Sequence, residues 1–187
     1  MYKKTKYGFT LIELIVSLGV LALTLPVVFS LFLINLQSRT KILILQQVKR
    51  NGDDALASIE QLVHTRASAL YSDAALTTEV CSTTSGTTTP TSSNTVYMKD
   101  SSGNRFYFYL SNGQIASDSA VISPNPLYLT NTKVVVSNFS LSCERTSSFS
   151  PPLVSIGFQV SQFGSPATRE GKATLYYQTK TKLQNYQ

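Results

Sequence analysis

The residue in this chain whose chemistry demands an explanation is a single carboxylate. Glu13 is the one charged residue between Leu11 and Ser38, in the run "LIELIVSLGVLALTLPVVFSLFLINLQS". An acidic side chain inside an apolar helix of membrane length costs about 2.5–3.5 kcal/mol on insertion scales, so it implies a cationic partner. Upstream lie Lys3, Lys4 and Lys6, then the dipeptide Gly8-Phe9. The other reactive residues are few. The chain has 2 cysteines, Cys81 and Cys143, and 1 histidine, His64. Neither cysteine belongs to a C-x-x-C pair, so a zinc site of the usual kind is not expected. The two thiols allow one disulfide if this region leaves the cytoplasm, worth roughly 4 kcal/mol in the chain-entropy picture. Two unpaired core thiols are the other reading. His64 has no nucleophile pattern near it and reads as a surface or packing residue. No G-x-S-x-G, P-loop, H-E-x-x-H or EF-hand loop occurs. Asp53 and Asp54 are adjacent on a helical pattern and point to different faces, which rules out a paired general acid and base. No enzyme, cofactor or metal site is expected.

The elements that must position Glu13 follow from hydropathy. Leu14 to Ser38 carries no charge. As a helix, such a run covers about 38 Å at about 1.5 Å per residue, enough to cross a hydrocarbon layer of about 30 Å. It is too long for a secretory h-region and lacks an A-x-A-like end. A soluble core helix is seldom apolar on every face. The three early lysines predict a cytoplasmic N-terminus and an exported body; Arg39 and Lys41 on the far side weaken that bias without reversing it. Pro26 removes a backbone donor and should kink or loosen the helix.

"KKTKYG" followed by "FTLIELIVSLGVLAL" resembles the N-terminus of type IV prepilins and type II secretion pseudopilins. In that family a basic leader ends in Gly, a membrane prepilin peptidase cuts after it, and the new N-terminal residue, usually Phe, is methylated. A Glu stands fifth after the cut. The matching residues here are Gly8, Phe9 and Glu13. The resemblance implies a leader at 1–8 and a transmembrane and assembly helix at 9–38. Cleavage would create an α-amine on Phe9 with a pKa of about 8, mostly cationic at neutral pH. Glu13 of one subunit can then meet the amine of a neighbour, and its cost acts as a register device. The partners implied are the prepilin peptidase, other pilin or pseudopilin subunits, an inner-membrane assembly platform and membrane lipid. The location implied is a single pass of the inner membrane, followed by incorporation into a filament.

Beyond the apolar run, residues 39–72 read as a continuing amphipathic helix. Leu45, Val48, Gly52, Ala55, Ile59 and Leu62 make one stripe, and Val63, Ala67 and Leu70 a neighbouring one. Asn51-Gly52-Asp53 is a weak point that could bend it. Residues 73–187 form the exported, β-rich part. In it, "STTSGTTTPTSSNT" (82–95) has 11 Ser or Thr among 14 residues and reads as an exposed loop, with O-linked sugars as an alternative to a plain linker. "TVYMK" and "RFYFYL" flank the hairpin signal "DSSGN", with Phe106, Phe108 and Leu110 facing one way and Tyr107 and Tyr109 the other. "SNG" at 111–113 marks another turn. In "KVVVSNFSLSCE" the apolar parity switches between Val136 and Phe139, which predicts a bulge near Ser137-Asn138. "LVSIGFQVSQF" alternates through Val154, Ile156, Phe158 and Val160, and the last segment puts Ala173, Leu175 and Tyr177 on one face. The predicted fold class is α+β and pilin-like: a long N-terminal helix packed on an antiparallel sheet. The late strands also look like those of larger minor pilins and J-like minor pseudopilins.

The leading expectation is a structural filament subunit, with a minor pilin favoured. The alternatives are a minor pseudopilin of a type II secretion system, or a tip adhesin or DNA-uptake subunit. The last would use Lys172, Lys180 and Lys182 with nearby tyrosines on nucleic acid. Net charge is +6, but three of the 16 basic residues precede the apolar run, so nucleic acid is weakly supported as a partner. Three lysines on one strand more often guard a sheet edge.

Overall fold

The computed structural model describes Gly8 and residues 10–81, 86–88, 95–119, 126–147, 149–164 and 173–184. Lys3, Lys4, Lys6, Phe9, Lys172 and most of the Ser/Thr-rich stretch lie outside the described residues. The chain divides into two compact units, Met1–Ile42 and Leu43–Gln187. One helix, α1 (Leu11–Arg66), contributes to both.

Within the second unit, α1 buries Val48, Gly52, Ala55, Ile59 and Val63. Spacings of three and four residues keep these on one face, as the periodicity predicts. Leu62 is half-buried beside them, and Leu45 stays 43 % exposed. The helix runs through Asn51-Gly52-Asp53 without interruption. Gly52 is there for another reason: a Cβ at this position would overlap the ring of Tyr177.

The helix ends earlier than the expected residue 72. Ala67–Tyr71 is a strand, β1. The misreading has a physical cause. Ala67 and Leu70 are both buried, three apart, a spacing typical of a helix. In the strand the same result comes from a register shift between Ala67 and Ala69, a bulge that turns both residues inward.

The remaining strands are β2 (Glu79–Val80), β3 (Gly86–Thr88), β4 (Thr95–Asp100), β5 (Arg105–Ser111) and β6 (Gln114–Ser119), then β7 (Leu127–Tyr128), β8 (Val134–Arg145), β9 (Leu153–Gln162) and β10 (Thr174–Lys182). They form two sheets where one was expected. The order is β2-β1-β4-β5-β6-β7 in the first and β10-β9-β8-β3 in the second. Every pairing among the described strands is antiparallel. Part of the 82–95 segment is therefore not loop: β3 pairs with the end of β8, Thr88 opposite Cys143. Threonine is β-branched and suits a strand as well as a linker.

The two inner faces follow the predicted alternation. Phe106 and Phe108 are buried on β5, and Val154, Ile156, Phe158 and Val160 on β9. On β8 the register slips between Ser137 and Ser140, and Asn138 adopts φ 53°, so both Val136 and Phe139 point inward. The β5–β6 turn is Asn112-Gly113, with φ 51° and 74°, the left-handed pair that a two-residue hairpin requires. The Cys81 and Cys143 sulfurs are bonded, closing a sequence separation of 62 residues. Beside them Arg145 is buried, and its guanidinium donates to the carbonyls of Cys81, Ser147 and Ser150.

Candidate functional site: the N-terminal junction and its helix

Gly8 is exposed and lies ahead of any regular element. Helix α1 begins three residues later. Its first bond runs from the Leu14 N–H to the Thr10 carbonyl, 3.2 Å, which makes Thr10 the N-cap. Glu13 then falls in the first turn, at the Thr-x-x-Glu spacing of a capping box. The positive end of the helix dipole favours a carboxylate there. Sequence reasoning missed Thr10, although the spacing that reveals it, Thr10 to Glu13, stood in the quoted motif.

From Leu11 to Leu36 every large apolar side chain is exposed, between 44 % for Leu33 and 79 % for Leu11. This stretch is long and apolar enough to cross a membrane. Its uncharged polar side chains do not contradict that. Ser17 donates to Leu14 O, Thr24 to Leu21 O, Ser30 to Val27 O, and the Asn35 amide to Leu31 O, at 2.9–3.3 Å. Each is satisfied by its own helix, as an apolar solvent demands. Glu13 is not: among the described residues its carboxylate has no hydrogen bond or ion pair. It shares a shallow groove with Thr10, Ile12, Val16 and Ser17. Helix α1 continues through Pro26, whose ring removes the N–H that would bond the Ala22 carbonyl.

The other sequence-predicted residues lie in the second unit. Cys81 and Cys143 meet, as described above. His64 is half-buried and, as the Nδ1–H tautomer, donates to the Lys182 carbonyl at 3.1 Å, a packing contact. Lys180 Nζ lies 3.2 Å from Glu144 Oε2, so it is neutralised on the outer face of the second sheet. Asp53 pairs with Lys49 at 3.5 Å on the exposed side of α1. Tyr177 was expected only as a core face residue, but it does more. It stacks on Phe158 at 5.4 Å with planes 17° apart and donates to the Lys49 carbonyl at 2.9 Å. Burial first, then the nearby Asp53 carboxylate, push its phenol up to about 12.

Comparison with known proteins finds no similar curated protein and no similar solved structure. The N-terminus does find a match. Residues 3–25 fit the family model of the prokaryotic N-terminal methylation motif, so the chain carries the signature of type IV prepilins and pseudopilins.

Proposed function

We propose that the chain is a structural subunit of a type IV pilus-like filament, cut between Gly8 and Phe9 by a prepilin peptidase and methylated on Phe9. Assembly then proceeds through α1. In this reading the lysines before the cut hold the N-terminus in the cytoplasm, the helix anchors the subunit in the inner membrane, and residues 73–187 are exported. An assembly platform in the same membrane passes subunits into the filament, where a minor position is the favoured one.

One observation carries the reading. From Leu11 to Leu36 the uncharged polar side chains are bonded within their own helix, whereas Glu13, fifth after the proposed cut, has no partner among the described residues. Cleavage supplies the missing cation as the Phe9 α-amine. In a packed array of helices the carboxylate of one subunit meets the amine of the next. The net gain after desolvation is small, but misregistered neighbours leave two unpaired charges in an apolar medium, which is strongly unfavourable. Mass spectrometry of the mature N-terminus is the test. The expected species begins at N-methylated Phe9; a mature chain that still begins at Met1 overturns the proposal. The pseudopilin alternative shares this chemistry and differs in the machinery encoded by neighbouring genes. The DNA-uptake alternative has lost part of its basic stripe, since Lys180 is paired with Glu144.

A further inference from the structure

The first sheet has an outer face built largely of tyrosine. Pairing registers align Glu79, Tyr71, Tyr97, Tyr107 and Asp118 in one row across β2, β1, β4, β5 and β6. A second row brings Tyr109, Ala116 and Tyr128 side by side across β5, β6 and β7. These positions alternate with buried Leu70, Met98, Phe106 and Phe108, so the tyrosines stand on the side away from the core. The rings form a continuous surface: Tyr97 to Tyr107 is 5.3 Å between centroids and Tyr107 to Tyr109 is 5.5 Å. The Arg105 guanidinium lies 5.6 Å over Tyr107, and the Tyr107 phenol donates to Asp118 Oδ2 at 2.7 Å.

At the β1 end this row opens into a polar cavity of about 380 Å³, bounded by Tyr71, Glu79, Lys99 and the Ser101–Gly103 turn. Most polar groups around it are already committed. The Asp100 carboxylate accepts from the backbone N–H of Ser102 and Asn104 and from the Asn104 amide. Ser68 Oγ donates to the carbonyls of Lys99 and Asp100. Among the charged groups, Glu79 and Lys99 are the exceptions. Both are half-buried, and neither side chain has a hydrogen bond or ion pair among the described residues. The cavity thus presents an uncommitted carboxylate and an uncommitted ammonium beside an aromatic ring.

We propose that this cavity and the tyrosine row behind it form a binding site for a neutral pyranose oligosaccharide. A pyranose has an apolar C–H face, which packs on an aromatic ring, and a rim of hydroxyls that each donate and accept. A carboxylate and an ammonium in one cavity satisfy such a rim, and charged partners make the stronger hydrogen bonds. Tyrosines supply rigid contact area at little entropic cost. The volume lies within the usual range for a small-ligand site, about 300–1,000 Å³. Charge decides against the main rival. Glu79 and Asp118 stand at the two ends of the row, and Lys99 and Arg105 are cross-strand partners in a neighbouring row, so the face is close to neutral and a polyphosphate chain would meet a carboxylate at either end. An apolar peptide would leave Glu79 and Lys99 covered and unpaired.

The test uses the full chain in lipid nanodiscs, free of sugar-based detergent. Cellotetraose, chitotetraose and an oligo-dT strand are titrated separately by calorimetry and by tyrosine fluorescence, which is readable because the chain has no tryptophan. Saturable binding of at least one tetrasaccharide is expected. Glu79→Ala and Lys99→Ala should each weaken it by about tenfold with an unchanged melting profile. Lys180→Ala, on the other sheet, should leave it alone. Absence of saccharide binding into the millimolar range overturns the proposal, as does binding indifferent to both Glu79→Ala and Lys99→Ala, or a preference for oligo-dT.

Discussion

Replacing a glycine in the middle of a helix by alanine normally stabilises a protein, by about 1 kcal/mol. Gly52→Ala in this chain should do the reverse. The new methyl would occupy the space of the Tyr177 ring. That ring is fixed on two sides, stacked on Phe158 and bonded through its hydroxyl to the Lys49 carbonyl. It cannot turn away without giving up the stack, the bond or both. Overpacking of this kind costs about 1–3 kcal/mol, and loss of the hydrogen bond about 0.5–1.5 kcal/mol more. Against the propensity gain, the net change is a destabilisation of about 2 kcal/mol. For a body of this size that lowers the melting temperature by about 4–8 °C. The assay is a thermal melt of the solubilised chain followed by near-ultraviolet circular dichroism of the tyrosines. A double-mutant cycle isolates the cause: in a Tyr177→Ala background, Gly52→Ala should recover its ordinary stabilising sign, giving a coupling of about 3 kcal/mol. A rise in melting temperature for Gly52→Ala in the wild-type background would refute the reasoning, because it would mean that the ring does not occupy that space.

Three other outcomes are expected. Removing the Cys81–Cys143 bond, by reductant or by paired serine substitutions, should destabilise the body by about 4 kcal/mol and lower its melting temperature by about 8–16 °C, read from melts with and without reductant. Glu13→Ala should make membrane insertion easier, by less than the cost of about 2.5–3.5 kcal/mol for a charge at a helix centre because Glu13 lies in the first turn, yet deplete the subunit from sheared filaments; equal recovery of mutant and wild type would sink the register role. The phenols of Tyr107 and Tyr177 are both pushed up to about 12, the first chiefly by its bond to Asp118 and the second chiefly by burial. A raised phenol stabilises the fold while protonated, so this contribution is whole below pH about 10 and fades as pH rises toward about 12. Tyr107→Phe and Tyr177→Phe should each flatten the alkaline loss of stability, followed by phenolate absorbance and melts.

What could be read in the sequence, and what could not, divides by the range of the interaction. The β4–β5 hairpin, the Asn112-Gly113 turn and the parity switch at Ser137-Asn138 are all written in neighbouring residues, and local steric rules suffice for them. The errors come from partners far along the chain. Gly52 looked like a flaw in a helix because its reason, the Tyr177 ring, comes from the last strand. Ala67 and Leu70 looked helical because a bulge in β1 imitates the helical spacing. Alternation shows which side chains of β8 and β9 face inward, but not that β4–β7 belong to a different sheet. The row of Tyr71, Tyr97 and Tyr107 exists only through three strand registers, and no spacing within one strand announces it.

The helix itself shows why one carboxylate can matter so much to assembly. Lipid chains are as apolar as leucine, so the exposed apolar side chains from Leu11 to Leu36 gain no hydrophobic driving force from meeting another helix. Close packing favours association, yet it is similar at many axial offsets of two such surfaces. Ser17, Thr24, Ser30 and Asn35 are bonded to their own backbone and have little left to offer a neighbour. Glu13, without a partner among the described residues, is the group whose free energy depends on what stands opposite it, and the Phe9 amine of the proposed cut would be its complement. Since that amine stands only four residues from Glu13 in the same chain, the best offset between neighbours is a short axial step. On the proposed reading, cleavage would do more than remove a leader: it would switch on an interaction that distinguishes the right register from its neighbours. A subunit that is inserted but uncut should pack promiscuously, and a Glu13→Gln subunit that is cut should do the same.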